Sequence, residues 1–374
     1  MTISMPESDT NGPSPGGEGP PQRIAFLGCP LDCDEREPSI NEKMELLEKG
    51  VEEDPYERVL ALALSRLEGD LTRCIGSLDV PAWLRPIPKG IQRGSLRVEE
   101  FVKFIDRGDC RKWAEKAAMA VRGILPDIPC LIGIDHSLAG GAIQELARMY
   151  APENMSVVVL DSHTDAISTK VMGGLLAFDM ETNPHSLHDP EDPYLKNRPE
   201  SYNAGTFLLF LLDEGSVLPE NLYLLGAGDT PPKRASRVKD SRVEKYVEAY
   251  ATLRRRGVKT LTKEDLIKNP SKVKAVLGDI TTPYLYLSVD MDVGAGNALR
   301  GVRFKERIGL NERQIMGVTE HIAHLLKGNI RLAGIDLSEF NPRYHQLSEQ
   351  PCMDRTYIIA ANIIETIARC ALKT

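Results

Sequence analysis

Apolar residues fall along this chain in two alternating rhythms. Short, largely apolar runs recur: RIAFLGC (23–29), CLIGI (130–134), SVVVL (156–160), NLYLLGA (221–227), PYLYLSV (283–289) and RLAGI (331–335). Between them the apolar positions are spaced three and four apart, which predicts helices. One such region covers 41–70, with Met44, Leu46, Leu47, Val59, Leu60, Leu62, Leu64 and Leu67 on the periodic positions. Others cover 98–123, 140–150, 204–215, 242–257, 311–327 and 356–372. The helix at 242–257 ends in Arg254, Arg255 and Arg256, which suits the negative end of its dipole. VKTLTK (258–263) reads as a short strand, and Pro81, Pro86 and Pro88 predict a loop over 76–96.

Strands that are largely apolar along their length, alternating with helices, predict a parallel sheet covered on both faces. In such sheets ligands gather beyond the carboxyl ends of the strands. Polar residues follow the runs at those ends. His136 follows one, then Asp161, His163 and Asp165, then Asp290 and Asp292, then Asp336 with Glu339 just beyond. If the backbone stays extended, Asp161, His163 and Asp165 face one side, as do Asp290 and Asp292.

A mixture of imidazoles and carboxylates suits borderline to hard divalent ions such as Mn²⁺, Fe²⁺ or Zn²⁺. No cysteine lies near these tips, which counts against a structural zinc site. Carboxylates this crowded repel one another unless cations bind among them. Six ligands suggest two ions, ~3.5–4 Å apart, sharing bridging carboxylates. A single D-x-D or a single histidine after a strand is more often a turn, a cap or a packed side chain. The combination in one alternating pattern carries the reading.

The composition narrows the class. A formal charge of −8 over 374 residues argues against a nucleic-acid surface. No stretch reaches the ~18 apolar residues of a membrane span. Residues 1–22 are rich in Gly, Pro and Ser, lack the features of a secretory signal, and are expected to form a disordered tail. The seven scattered cysteines predict free, mostly buried thiols in a reducing, cytoplasmic setting, with Cys29 and Cys33 structural. Residues 23–374 are expected to form one catalytic domain with a helical insertion around 41–90.

Four segments, in order, resemble the signatures of the ureohydrolases, the arginase and agmatinase family. They are GIDHS (133–137), DSHTD (161–165), SVDMD (288–292) and GIDLSEFNP (334–342). The resemblance implies a three-layer α/β/α fold with a central parallel sheet of about eight strands. It implies two Mn²⁺ per chain, with Fe²⁺ or Zn²⁺ as alternatives. His136, Asp161, Asp165 and Asp290 would hold one ion; Asp161, His163, Asp290 and Asp292 would hold the other. Glu339 matches the guanidinium-binding glutamate, and Asp165 would pass a proton to the leaving amine. The implied partners are a small guanidino or amidine substrate and copies of the same chain, in a trimer or hexamer.

Several positions depart from the family pattern. Ile134 replaces a glycine, Ile167 replaces the asparagine that reads the amino-acid end of arginine, and Ala204 replaces a proton-shuttling histidine. His185 and His188 lie in an apparent insertion; they read either as substitutes for that histidine or, more simply, as plain loop histidines. Arg300, Arg303 and Lys305 make the loop after Asp292 basic, which suggests either a solvated loop or attraction of a carboxylate. GAGD (226–229) lacks a full dinucleotide fingerprint and is discounted. The expected function is a dinuclear manganese amidinohydrolase acting on an agmatine-like compound rather than arginine. The alternatives are hydrolysis of a formimino or amide C–N bond, or a non-catalytic subunit stabilised by metal.

Overall fold

A computed structural model describes residues 22–52, 54–92, 94–296, 298–305, 307–343 and 354–373. The expected tail therefore lies almost wholly outside the described residues. Eight strands form one sheet: β1 (Ile24–Cys29), β2 (Thr72–Ser77), β3 (Ile128–Gly133), β4 (Met155–Leu160), β5 (Leu222–Ala227), β6 (Lys259–Thr262), β7 (Tyr284–Asp290) and β8 (Arg331–Ser338). Their order is β2-β1-β3-β8-β7-β4-β5-β6, and every neighbouring pair is parallel.

The largely apolar runs follow from burial on both faces. In β3, Leu131 points into one core with Phe101, Trp113, Leu138 and Phe207. Its neighbours Cys130 and Ile132 point into the other, with Val59, Ile315, Ile322 and Ile363. Each face is roofed by helices, so both sets of side chains are mostly apolar. No helix among the described residues is long and apolar enough to cross a membrane.

Three expectations change. Strand β2 lies at the sheet edge and overlaps the predicted loop; TRCIGS is mostly exposed and carries no apolar run to reveal it. The helical region 41–70 is two helices, Glu37–Glu48 and Pro55–Leu64, separated where Gly50 takes φ 65° and Asp54 caps the second. The region 98–123 likewise breaks at Gly108, φ 74°, into Val98–Asp106 and Asp109–Ile124. A further helix, Thr169–Thr182, was not anticipated; two adjacent glycines and a lack of any clear apolar stripe hide it.

The register places the site. Leu160 of β4 pairs with Val289 of β7, Val289 with Leu337 of β8, and Leu337 with Ile132 of β3. Four adjacent strands therefore end at one level, and the residues just beyond their ends meet although up to two hundred positions separate them in sequence.

Candidate functional site

The loops beyond β3, β4, β7 and β8 carry the predicted residues to one point. His136 is fully buried, and its Nδ1 lies 3.0 Å from Asp165 Oδ2, 3.3 Å from Asp161 Oδ2 and 3.4 Å from Asp290 Oδ2. His163 Nδ1 lies 3.1 Å from Asp292 Oδ2 and 3.6 Å from Asp161 Oδ1. Two sets of ligand atoms, His136–Asp161–Asp165 and Asp161–His163–Asp292, each fall within 4.8 Å and share Asp161. Asp161 Oδ2 and both carboxylate oxygens of Asp292 are buried with no hydrogen-bond donor. Buried carboxylate oxygens left without donors are costly unless a cation meets them. These residues therefore fit a pair of divalent ions.

The route by which they converge differs from the extended-strand expectation. Strand β4 ends at Leu160, so Asp161, His163 and Asp165 stand on a bent loop. The Asp161 side chain accepts from His163 N at 2.6 Å, folding the loop back on itself. Asp165 has φ 48°, a left-handed conformation uncommon for a residue with a side chain. Asp290 does end β7, but Asp292 follows in a single turn, with its amide donating to Asp290 Oδ1 at 2.8 Å. The alternation survives as a set of turns rather than a pleat.

Asp336 is a second correction. It lies inside β8, not at its tip, and stands behind His136. His136 Nε2 contacts Ser288 Oγ at 2.8 Å, and Ser288 Oγ donates to Asp336 Oδ1 at 3.0 Å. If Nε2 carries the proton and donates to Ser288, the Nδ1 lone pair faces the carboxylate cluster. Sequence reasoning missed Ser288 because one serine in an apolar strand has no local signal.

Asp229, in the discounted GAGD segment, also belongs here. It accepts from Thr164 N at 3.0 Å and Thr164 Oγ1 at 2.7 Å, pinning the Asp161–Asp165 loop to the end of β5. Just before it, Gly226 passes beneath that loop with φ 109°; a Cβ there would meet the Asp161 carbonyl oxygen at 2.7 Å. Its glycine serves close packing rather than a phosphate.

Burial and crowding oppose each other at the histidines and act together on Asp165, Asp290 and Glu339. Burial lowers the pKa of His136, but Asp161, Asp165 and Asp290 outweigh it and raise the imidazole well above its ordinary value. Burial lowers His163 too, and Asp292 and Asp161 reverse the effect. Burial, then the charge of Asp161, raises Asp165 to about 7. Burial and the charges of Asp292 and Asp161 raise Asp290 well above the carboxylate range. Glu339 is 6% exposed, has φ 64°, and is raised by burial and by Asp292; its Oε2 has no hydrogen-bond donor.

These groups floor a cavity of about 410 Å³. Ile134, Ile167 and Ala204, the three departures from the family pattern, all line it. So does His188, whereas His185 does not. Of the three basic residues in the loop after Asp292, Arg303 alone lines the cavity. It is ion-paired with Asp32 and approaches Glu42 at 3.5 Å, and burial lowers its pKa to about 10. Among the described residues, Arg303 is thus the loop's one cation at the cavity, held by Asp32 and acting on Glu339. Cys33 also lines it, donating to Asp135 Oδ2 at 2.7 Å and lying 3.5 Å from Cys110 Sγ. The six cysteines among the described residues are all free.

A model of the arginase family matches residues 88–370. Solved structures share the fold at low sequence identity. Proclavaminate amidino hydrolase from Streptomyces clavuligerus is 16% identical, with TM-score 0.55, over 95% of this chain and 94% of its own. Arginase from Bacillus cereus is 18% identical, with TM-score 0.55, over 92% and 98%. Formimidoylglutamase from Bacillus subtilis is 15% identical, with TM-score 0.56, over 95% and 89%. No curated protein matches the sequence.

Proposed function

The chain belongs to the arginase family, and from that premise we propose that it is a two-metal amidinohydrolase that releases urea from a guanidino compound. The observation that carries the reading is the shared cluster of His136, Asp161, His163, Asp165 and Asp292, with donor-free carboxylate oxygens aimed into it. Asp290 completes it from the end of β7. We assign manganese as the ion pair, since the ligands are imidazole and carboxylate without thiolate. When bound, the ions supply Lewis acidity that makes water a nucleophile at neutral pH.

The chain's own residues do the remainder. Glu339 presents an unpaired carboxylate oxygen at the cavity floor, suited to the planar N–H edge of a guanidinium. Asp165, whose Oδ2 lies 3.0 Å from His136 Nδ1 at the cavity floor, can carry a proton to the departing amine. Selection against arginine, whose amino-acid end Ile167 cannot read, belongs to the same proposal, as do the homo-oligomer and the cytoplasmic setting.

The test is reconstitution with Mn²⁺, metal analysis, and product-resolved assay on agmatine, arginine, 4-guanidinobutyrate and guanidine. About two ions per chain with metal-dependent urea is the expected result. Absence of urea from every compound by the metal-loaded chain would sink the reading. A second reading, hydrolysis of a formimino or amide bond, is favoured by Ile134, Ile167 and Ala204 in the cavity wall. Formamide or ammonia without urea would select it.

A further inference from the structure

We infer that the cavity accepts a guanidinium or amidinium whose tail is uncharged and apolar, an alkyl or aryl group; this rests on the proposed amidinohydrolase function. The wall around Glu339 and the metal ligands is built from Ile105, Ile134, Ile167, Met172, Leu176 and Phe304. These come from separate segments of the chain, so the apolar surface is not one element's packing stripe. Two of them, Ile134 and Ile167, stand where polar or small residues are expected from the family pattern.

The charged groups at the same wall are already committed to one another. Arg36 gives Nε and Nη2 to both oxygens of Asp34, at 2.8 and 2.5 Å, and lies 3.9 Å over the ring of Phe304. Arg303 is paired with Asp32. Arg198 is paired with Glu35 and, at 2.9 Å, with Asp106. Each wall carboxylate that has an arginine partner is thereby neutralised. Asp135 accepts from Ser137 and Cys33, and Asp229 accepts from Thr164. A carboxylate on a substrate tail meets one guanidinium with an unpartnered buried N–H, Arg303 Nε, and must compete for that arginine with Asp32. An ammonium on a tail meets Asp192, whose carboxylate accepts from Tyr194 N at 2.9 Å, and must share it. Desolvating a charged tail without a dedicated partner is unfavourable, whereas an apolar tail gains by leaving water.

The expected signature is a dependence on tail length. Each methylene fully buried in the wall strengthens binding about fourfold. The test uses the full chain loaded with Mn²⁺ and methyl-, butyl-, hexyl- and phenethylguanidine, beside agmatine and 4-guanidinobutyrate. Calorimetry reads affinity, and urea release reads kcat/KM. Affinity should climb from methyl to butyl by about fourfold per methylene and level off once the cavity is full. Butylguanidine should bind at least about tenfold more tightly than either charged compound of similar length.

A flat series, or preference for agmatine or 4-guanidinobutyrate, overturns the inference. Urea from the charged compounds alone leaves the amidinohydrolase reading standing and removes the apolar tail. Graded binding of the alkylguanidines without urea keeps the apolar tail and removes the hydrolase reading. Ile167→Asn adds a second check: the ratio of butylguanidine to agmatine affinity should shift several-fold toward agmatine. An unchanged ratio would mean that the tail does not reach this wall.

Discussion

The floor of the cavity and its wall are built by different means. The floor comes from four neighbouring strands whose ends are level, so a handful of residues beyond each end must meet. Most of the wall comes from the segment 32–36, the helix Thr169–Thr182, the segment 188–206 and Arg303–Phe304, which share no sheet register, with Ile134 and Ile167 added from the loops beyond β3 and β4. On the floor, carboxylate oxygens are left without donors. On the wall, the arginines are matched to carboxylates within the chain. A floor of unmet charge binds ions; a wall of matched charge shapes space. The same acidic residue type thus does opposite work at Asp32, which meets Arg303, and at Asp161, which sits in the ligand cluster.

If the floor truly stores unmet charge, removing the ions should expose it, and this is the largest effect expected. In metal-free protein, His136, His163, Asp165 and Asp290 all hold protons more tightly folded than unfolded. A raised folded pKa stabilises at low pH and loses that contribution as pH rises through the folded value. Asp161 is shifted down and opposes them only in strong acid. The thermal midpoint of metal-free protein should therefore fall between pH 5 and about 8, with Asp165 titrating near 7. Metal-loaded protein should show the opposite trend, because ions bind the deprotonated ligands. A metal-free midpoint that rises over this range would break the contrast.

Next comes the floor against the wall by mutation. Asp292→Asn removes a buried carboxylate that faces His163 Nδ1 at 3.1 Å and has no hydrogen-bond donor. Ion content should fall below two per chain and metal affinity by more than ~100-fold, beyond what an outer ligand contributes. Arg198→Met strikes the wall instead, leaving Glu35 buried without its partner. Breaking a buried pair costs about 3–5 kcal/mol, so thermal unfolding should shift down while ion content stays at the wild-type value. Loss of ions from the Arg198 variant, measured by elemental analysis, would show that floor and wall are not separable.

This division also explains what the sequence could reveal. The sheet was legible because six of its strands are apolar runs, and a run needs no partner to be recognised. Edge strand β2 was not, since TRCIGS packs on one side only and Cys74 and Arg73 face solvent. The floor was legible because each ligand motif is local: Asp161 to Asp165 sit within five residues, and the strand ends are fixed by the fold. The wall was not. Arg303 reads as part of a basic loop, and nothing in its neighbourhood points to Asp32, which cancels it across the cavity. Asp336 was seen but misplaced by a single turn of reasoning: its position in GIDLSE suggests a tip, whereas β8 runs on to Ser338.

The smallest effect expected falls on the residue with the weakest sequence signal, Ser288. It stands in the middle of the apolar β7 run, between His136 Nε2 and Asp336. A serine hydroxyl can accept from the imidazole and donate to the carboxylate at once, so it holds the ring in the tautomer whose Nδ1 meets the metal ligands. Ser288→Ala leaves His136 and every carboxylate in place but frees the ring. Metal affinity should weaken by about 10–100-fold, less than for Asp292→Asn, and the metal-free form should lose about 1–3 kcal/mol because Asp336 Oδ1 stays buried without this donor. Ser288→Thr keeps a hydroxyl and should restore most of the affinity. Equal affinity in the alanine and wild-type proteins, measured by competition with a chelator, would reduce Ser288 to core packing and make the floor a set of ligands that needs no support from behind.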